Sequence, residues 1–135
     1  MNNKFINMGR IVIWLTITLL LSSCAGSRNV EGDFELINSG RISQDDIPQF
    51  IDCVSDSFRD RTLGLGVQMI SRHRKLSDKY LIELVISDRG LALSADINND
   101  GRVGLYDRVG LFHVNWRLQG EIQGFSNCLA KFEVY

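Results

Sequence analysis

The stretch Leu91-Ala92-Leu93-Ser94-Ala95-Asp96-Ile97-Asn98-Asn99-Asp100-Gly101-Arg102-Val103-Gly104-Leu105-Tyr106-Asp107-Arg108-Val109 decides the fold. On both sides of Asn99-Asp100-Gly101 the side chains follow the period of two that belongs to a strand. A three-residue loop ending in Gly101 at a left-handed position pairs Asn98 with Arg102, Ile97 with Val103 and Ala95 with Leu105. The apolar residues then share one face. A two-residue loop at Asp100-Gly101 would set Asn98 against Val103 and Asp96 against Leu105, mixing the faces, because a slip of one residue inverts every side chain. The reading is a hairpin of strands 91–98 and 102–109.

Upstream, Tyr80 to Ile86 is rich in β-branched and other apolar residues and ends at the turn signal Ser87-Asp88-Arg89-Gly90. Leu63, Leu65, Val67 and Met69 alternate with Gly64, Gly66, Gln68 and Ile70, which predicts an earlier strand and leaves Arg72-His73-Arg74-Lys75 in the loop after it. Downstream, Phe112, Val114, Trp116 and Leu118 alternate with His113, Asn115 and Arg117, a further strand with Gly110 as bend or bulge. Helical spacing appears at the two ends of this region. Ile47, Phe50, Ile51, Val54 and Phe58 form one stripe, with Ser43, Asp45, Asp46 and Pro48 suited to the start and Arg59 and Arg61 to the end, so a helix is expected over about 46–59. Ile122, Phe125, Leu129 and Phe132 favour a C-terminal helix, although Gly124 within it costs about 1 kcal/mol and a strand remains the alternative. The fold class expected is α+β: an antiparallel sheet of four or five strands with an N-terminal and a C-terminal helix packed on one face.

At the other extreme of the chain, Lys4 and Arg10 precede an uncharged apolar run, Ile11 to Leu21, too short to cross a bilayer as a helix of about 20 residues. Small residues and a cysteine follow: Leu21-Ser22-Ser23-Cys24. This order resembles the lipobox of bacterial lipoproteins. The resemblance implies a signal peptide over 1–23 that is removed, a diacylglyceryl group on the Cys24 thiol and, usually, acylation of the new amine. Two or three chains anchor a protein stably, since each buried CH₂ contributes about 0.8 kcal/mol. Ala25 stands where the family's inner-membrane retention signal has Asp, which implies delivery to the outer membrane of a diderm cell, on its periplasmic face. Residues 24–42, with Gly26, Ser27, Gly32, Ser39 and Gly40, read as lipidated cysteine and flexible tether. Phe34, Leu36 and Ile37 interrupt its polarity and either add a short strand or dock on the body. Residues 43–135 then form one small domain.

The composition agrees with a single globular unit. Charged residues make up 23% of 135, and Gly and Pro number 12 and 1, which excludes a disordered or fibrous chain. The formal charge is −1, and nothing in it gives the basic footprint of a nucleic-acid binder.

With Cys24 taken by lipid, Cys53 and Cys128 are an even remainder in an exported protein, and a disulfide between them is expected. The rival is a Cys-His nucleophile using His73 or His113, neither of which sits in a recognisable catalytic motif. Asp96 to Asp107 resembles the calcium loop of EF-hand and dockerin modules, with oxygens at Asp96, Asn98 and Asp100, Gly101 at the sixth position and Asp107 at the twelfth. No entering helix precedes it, and in the hairpin register Asp96 and Asp107 point to opposite faces, so the hairpin is preferred. Arg72-His73-Arg74-Lys75 with Lys79 is the one basic cluster, able to touch anionic head groups but more simply a solvated loop. Tyr106 and Trp116 are either a ligand platform or strand packing. No G-x-S-x-G, paired metal-ligand spacing or phosphate-binding glycine loop occurs, so no cofactor, metal or catalytic residue is assigned.

In overall layout the chain resembles the small lipoproteins of diderm bacteria. The function expected is a membrane-anchored, non-enzymatic binding or assembly module with an envelope protein as partner. Alternatives are a periplasmic inhibitor or immunity protein, and a calcium-binding module using 96–107.

Overall fold

The computed structural model describes residues 33–87, 89–109 and 118–134. In chain order these form β1 (Phe34–Arg41), a 3₁₀ turn (Gln44–Asp46), α1 (Ile47–Ser57), β2 (Arg61–Gly64), β3 (Val67–Lys75), β4 (Lys79–Ile86), β5 (Gly90–Asn98), β6 (Arg102–Arg108) and α2 (Gln119–Phe132). One sheet of order β1-β6-β5-β4-β3-β2 takes in all the strands, every neighbouring pair antiparallel. Both helices cover one face, where Phe50, Val54, Phe58, Phe125 and Leu129 share a core with Met69, Ile82, Leu84, Leu93, Ile97 and Leu105.

The β5–β6 hairpin has the register that its apolar pattern demands: Ile97 faces Val103 and Ala95 faces Leu105. Gly101 lies at φ +87°, its N–H donating to the Asn98 carbonyl at 3.0 Å. The loop is also held from outside, because the Ile42 N–H donates to the Gly101 carbonyl at 2.9 Å and the Asn99 N–H to that of Asp78 at 2.9 Å.

Among the described residues the sheet has six strands where four or five were expected, for two reasons. Residues assigned to the tether form β1, so the body begins at Phe34 instead of residue 43. The alternation of β1 is broken by a register shift between Leu36 and Asn38, and its partner β6 lies far along the chain, so no local pattern announces it. The second reason is that the run from Leu63 to Ile70 is a hairpin. Gly64, Leu65 and Gly66 all take positive φ (96°, 51° and 76°), dividing β2 from β3. The expected strand at 112–118 lies outside the described residues except for Leu118, which is buried at the start of α2.

The helices follow their stripes. Ser43 Oγ accepts from the Asp45 N–H at 3.3 Å and so caps the 3₁₀ turn that leads into α1, whose Phe50 and Val54 are fully buried. The C-terminal segment is helical in spite of Gly124. A Cβ at Gly124 would lie 2.5 Å from both Cβ and Oγ of Ser57, so the glycine that weakens α2 locally is what lets α1 approach it. Where they meet, Cys53 and Cys128 are joined by a disulfide with Cα atoms 5.9 Å apart, and the Phe50 ring stands edge-on to Phe125 at 5.7 Å.

Candidate functional site

Strand alternation sends every second side chain of the sheet away from the helices, and this far face is not an ordinary solvated surface. Glu83, Ser94 and Asp96 are buried on it, together with Leu81 and Leu91. A carboxylate removed from water must be paired. Arg74 grips Glu83 with two bonds, Nε to one oxygen at 2.9 Å and Nη2 to the other at 2.6 Å, while Arg72 stands 3.9 Å away. Asp96 accepts from Lys79 Nζ at 2.9 Å and from Ser94 Oγ at 3.0 Å.

Beside the Lys79–Asp96 pair the far face opens into a cleft of about 490 Å³ spanning β1, β6 and β5. Gly104, opposite Asp96 in the β5–β6 register, forms its floor. A side chain there would begin to fill the space, since its Cβ would stand 3.1 Å from Leu36 Cδ1 and 3.2 Å from Tyr106 Cε2. Those two residues, opposite each other on β1 and β6, give the cleft an aliphatic and an aromatic wall. Asn98 lines the polar end, its amide donating to the Arg102 carbonyl at 2.9 Å. Arg102 reaches the rim, where its Nε donates to Asp100 Oδ2 at 2.7 Å. The Asp100 carboxyl is held below its ordinary range first by the Arg102 backbone N–H, which outweighs the opposing desolvation, with smaller help from that guanidinium and from Arg41. An ion pair, an amide, an aromatic ring and an aliphatic wall around a small glycine floor are the elements of recognition of a partly polar, partly apolar group.

The structure distributes the sequence-derived candidates unevenly. Cys24 lies outside the described residues, as do His113 and Trp116. Tyr106 is in the cleft. Cys53 and Cys128 are bonded to each other, which removes both as thiol nucleophiles. His73 instead lies between Ser71 Oγ, 3.3 Å from its Nε2, and the Tyr80 hydroxyl, 3.2 Å from its Nδ1, on an exposed part of the opposite face. The basic cluster is corrected: Arg72 to Lys75 belong to β3, not to a loop, so alternation turns Arg72 and Arg74 to Glu83 on the far face and His73 and Lys75 to the other. The calcium-loop alternative meets the hairpin geometry directly. Asp96 and Asp107 project from opposite faces of the sheet, Asp96 is held by Lys79 and Asp100 by Arg102, so these oxygens do not converge on one ion. Among the described residues no cluster of metal-ligating side chains occurs.

Lys79, Asp96, Gly104 and Leu36 were not singled out from the sequence as one site. The available signal was Gly104 inside an otherwise alternating strand, where a missing side chain marks a place of close approach. No family model matches the chain, and no curated protein or solved structure is significantly similar to it.

Proposed function

We propose that this chain is a membrane-anchored lipoprotein of the cell envelope, lipidated at Cys24 and facing the periplasm from the outer membrane, and that its folded domain is a non-enzymatic binding or assembly module. The anchor rests on the coincidence of Lys4 and Arg10, the apolar run and Leu21-Ser22-Ser23-Cys24. Cys24→Ala is expected to abolish both acylation and cleavage, because the thiol is the acceptor. Metabolic labelling with a fatty-acid probe checks this, and equal labelling of wild type and variant would overturn it.

The observation that carries the binding role is the cleft between Leu36 and Tyr106. Its base is held by the Lys79–Asp96 ion pair, so that part of the surface is ordered before a partner arrives and loses less entropy on binding. The partner expected is an envelope protein that places a side chain on Gly104. Ser39, an exposed residue of β1 that lines the cleft, can be changed without touching the core. Ser39→Trp is expected to abolish co-purification of the partner from detergent-solubilised envelope while leaving the melting temperature within about 2 °C of wild type. Equal recovery with both proteins would remove the cleft from the binding surface.

A further inference from the structure

Leu65 is the most exposed large apolar side chain of the described residues, at 106% relative exposure. It stands at the tip of the β2–β3 hairpin between two glycines, and a Cβ built on either glycine meets nothing within 4 Å. Its φ of 51° belongs to the left-handed region, which Gly, Asn or Asp occupies with less strain. A turn needs no leucine, and among the described residues this one is left fully exposed. The base of the same hairpin is fixed, because Leu63 and Val67 pack against the core.

The topology places this tip. Phe34 pairs with Arg108, Gly90 with Ile86, Ile86 with Met69, and Gly64 with Val67. The start of β1, the end of β6 and the β2–β3 tip therefore lie at one end of the sheet. Val109, 54% exposed, is at that end as well. β1 and β2 are the two edge strands, five strand spacings apart, which is about 24 Å at about 4.8 Å each. The chain upstream of β1 fixes what faces this end. Eight residues lie between Cys24 and Asp33, and even fully extended the nine steps from one to the other span only about 30 Å.

We propose that Leu65 inserts into the lipid interface as a second foot of the domain, so that the acyl chains on Cys24 and the hairpin tip together hold the strands end-on to the membrane. This rests on the lipoprotein reading: with Cys24 acylated, the β1 corner of that end stays within about 30 Å of the bilayer, and Leu65, about 24 Å away across the sheet, reaches the interface when the strands stand end-on. An apolar side chain kept at such a surface is favoured there by removal of its area from water, and the anchor supplies the proximity that one leucine alone could not. The stance leaves the far-face cleft at the side of the domain, accessible to a partner in the periplasm.

The test uses the full chain, expressed with its signal sequence, checked for the fatty-acid label and reconstituted into vesicles of phosphatidylethanolamine and phosphatidylglycerol with brominated acyl chains. Leu65→Trp places a reporter at the tip, and Leu76→Trp places one at the opposite end of the sheet, where the side chain is also exposed. After cleavage Trp116 is the sole native tryptophan, and its signal is subtracted using the unsubstituted protein. Tip emission is expected to be blue-shifted and quenched by bromine at least about twofold more than that of the Leu76→Trp protein. Equal quenching in a labelled protein would overturn the proposal and leave the anchor standing. A blue shift without bromine quenching would also overturn it, since the tip would then be buried in protein, a second copy included. Absence of the fatty-acid label would overturn the lipoprotein reading itself, and the second foot with it.

Discussion

Gly101→Val is expected to lower the stability of the folded domain by about 3 kcal/mol or more, combining a strained backbone with a clash against a fixed neighbour. The φ of +87° alone disfavours any residue with a Cβ. In addition, a Cβ built at Gly101 overlaps the Ile42 carbonyl oxygen, and Ile42 is itself pinned by donating its N–H to the Gly101 carbonyl. Chain entropy does not relieve an overlap, so Gly101→Asn, which tolerates the dihedral, is expected to be nearly as damaging as valine. Urea denaturation of the three proteins measures this. An asparagine variant as stable as wild type would show that the dihedral alone matters. The same melts in excess EDTA and in millimolar calcium are expected to coincide, whereas a calcium-dependent upshift lost in Asp96→Ala and Asp107→Ala would restore the calcium-loop reading.

Cys53→Ser is expected to cost about 4 kcal/mol, the chain-entropy value for closing 75 residues. For a domain of this size that corresponds to a fall in melting temperature on the order of 15 °C. The physical effect lies mostly in the unfolded chain, which without the bond gains conformations that the native state does not. Because one bond carries the effect, Cys128→Ser and the double variant are expected to show the same loss, not a larger one. Melts of the oxidised proteins settle the comparison. Losses that add across the two sites would place the energy in packing around each sulfur. Alkylation of the native protein without reductant is expected to leave Cys53 and Cys128 unmodified.

The parts of this fold that were legible in the sequence are those whose determinants lie close together along the chain. Ala95, Ile97, Val103 and Leu105 fix the β5–β6 register with the loop glycine between them, because period two and turn geometry act over a dozen residues. Phe50 and Val54 reveal the first helix by spacing, whereas Phe125 and Leu129 only favour the second, with a strand left as the alternative until packing against Ser57 and Cys53 decided it. The pairing of Cys53 with Cys128 follows from counting once Cys24 is assigned to lipid. At Leu65 the same local logic misleads: a leucine between two glycines preserves the apolar alternation of a strand, and the antiparallel pairing of Arg61 with Met69 and Gly64 with Val67 shows that the chain has already turned.

What the sequence by itself determined is therefore the α+β class, the central hairpin and the helical stripes. The tertiary structure decided the rest. It made Phe34–Arg41 an edge strand, because β6 offered an unpaired row of backbone groups that no local pattern in β1 discloses. It turned Gly124 from a helix defect into the point of closest approach to Ser57, and two arginines of an apparent surface cluster into the partners of buried Glu83. It assembled the cleft from β1, β5 and β6, since a site made of side chains from strands distant in sequence exists only once their register brings them to one face.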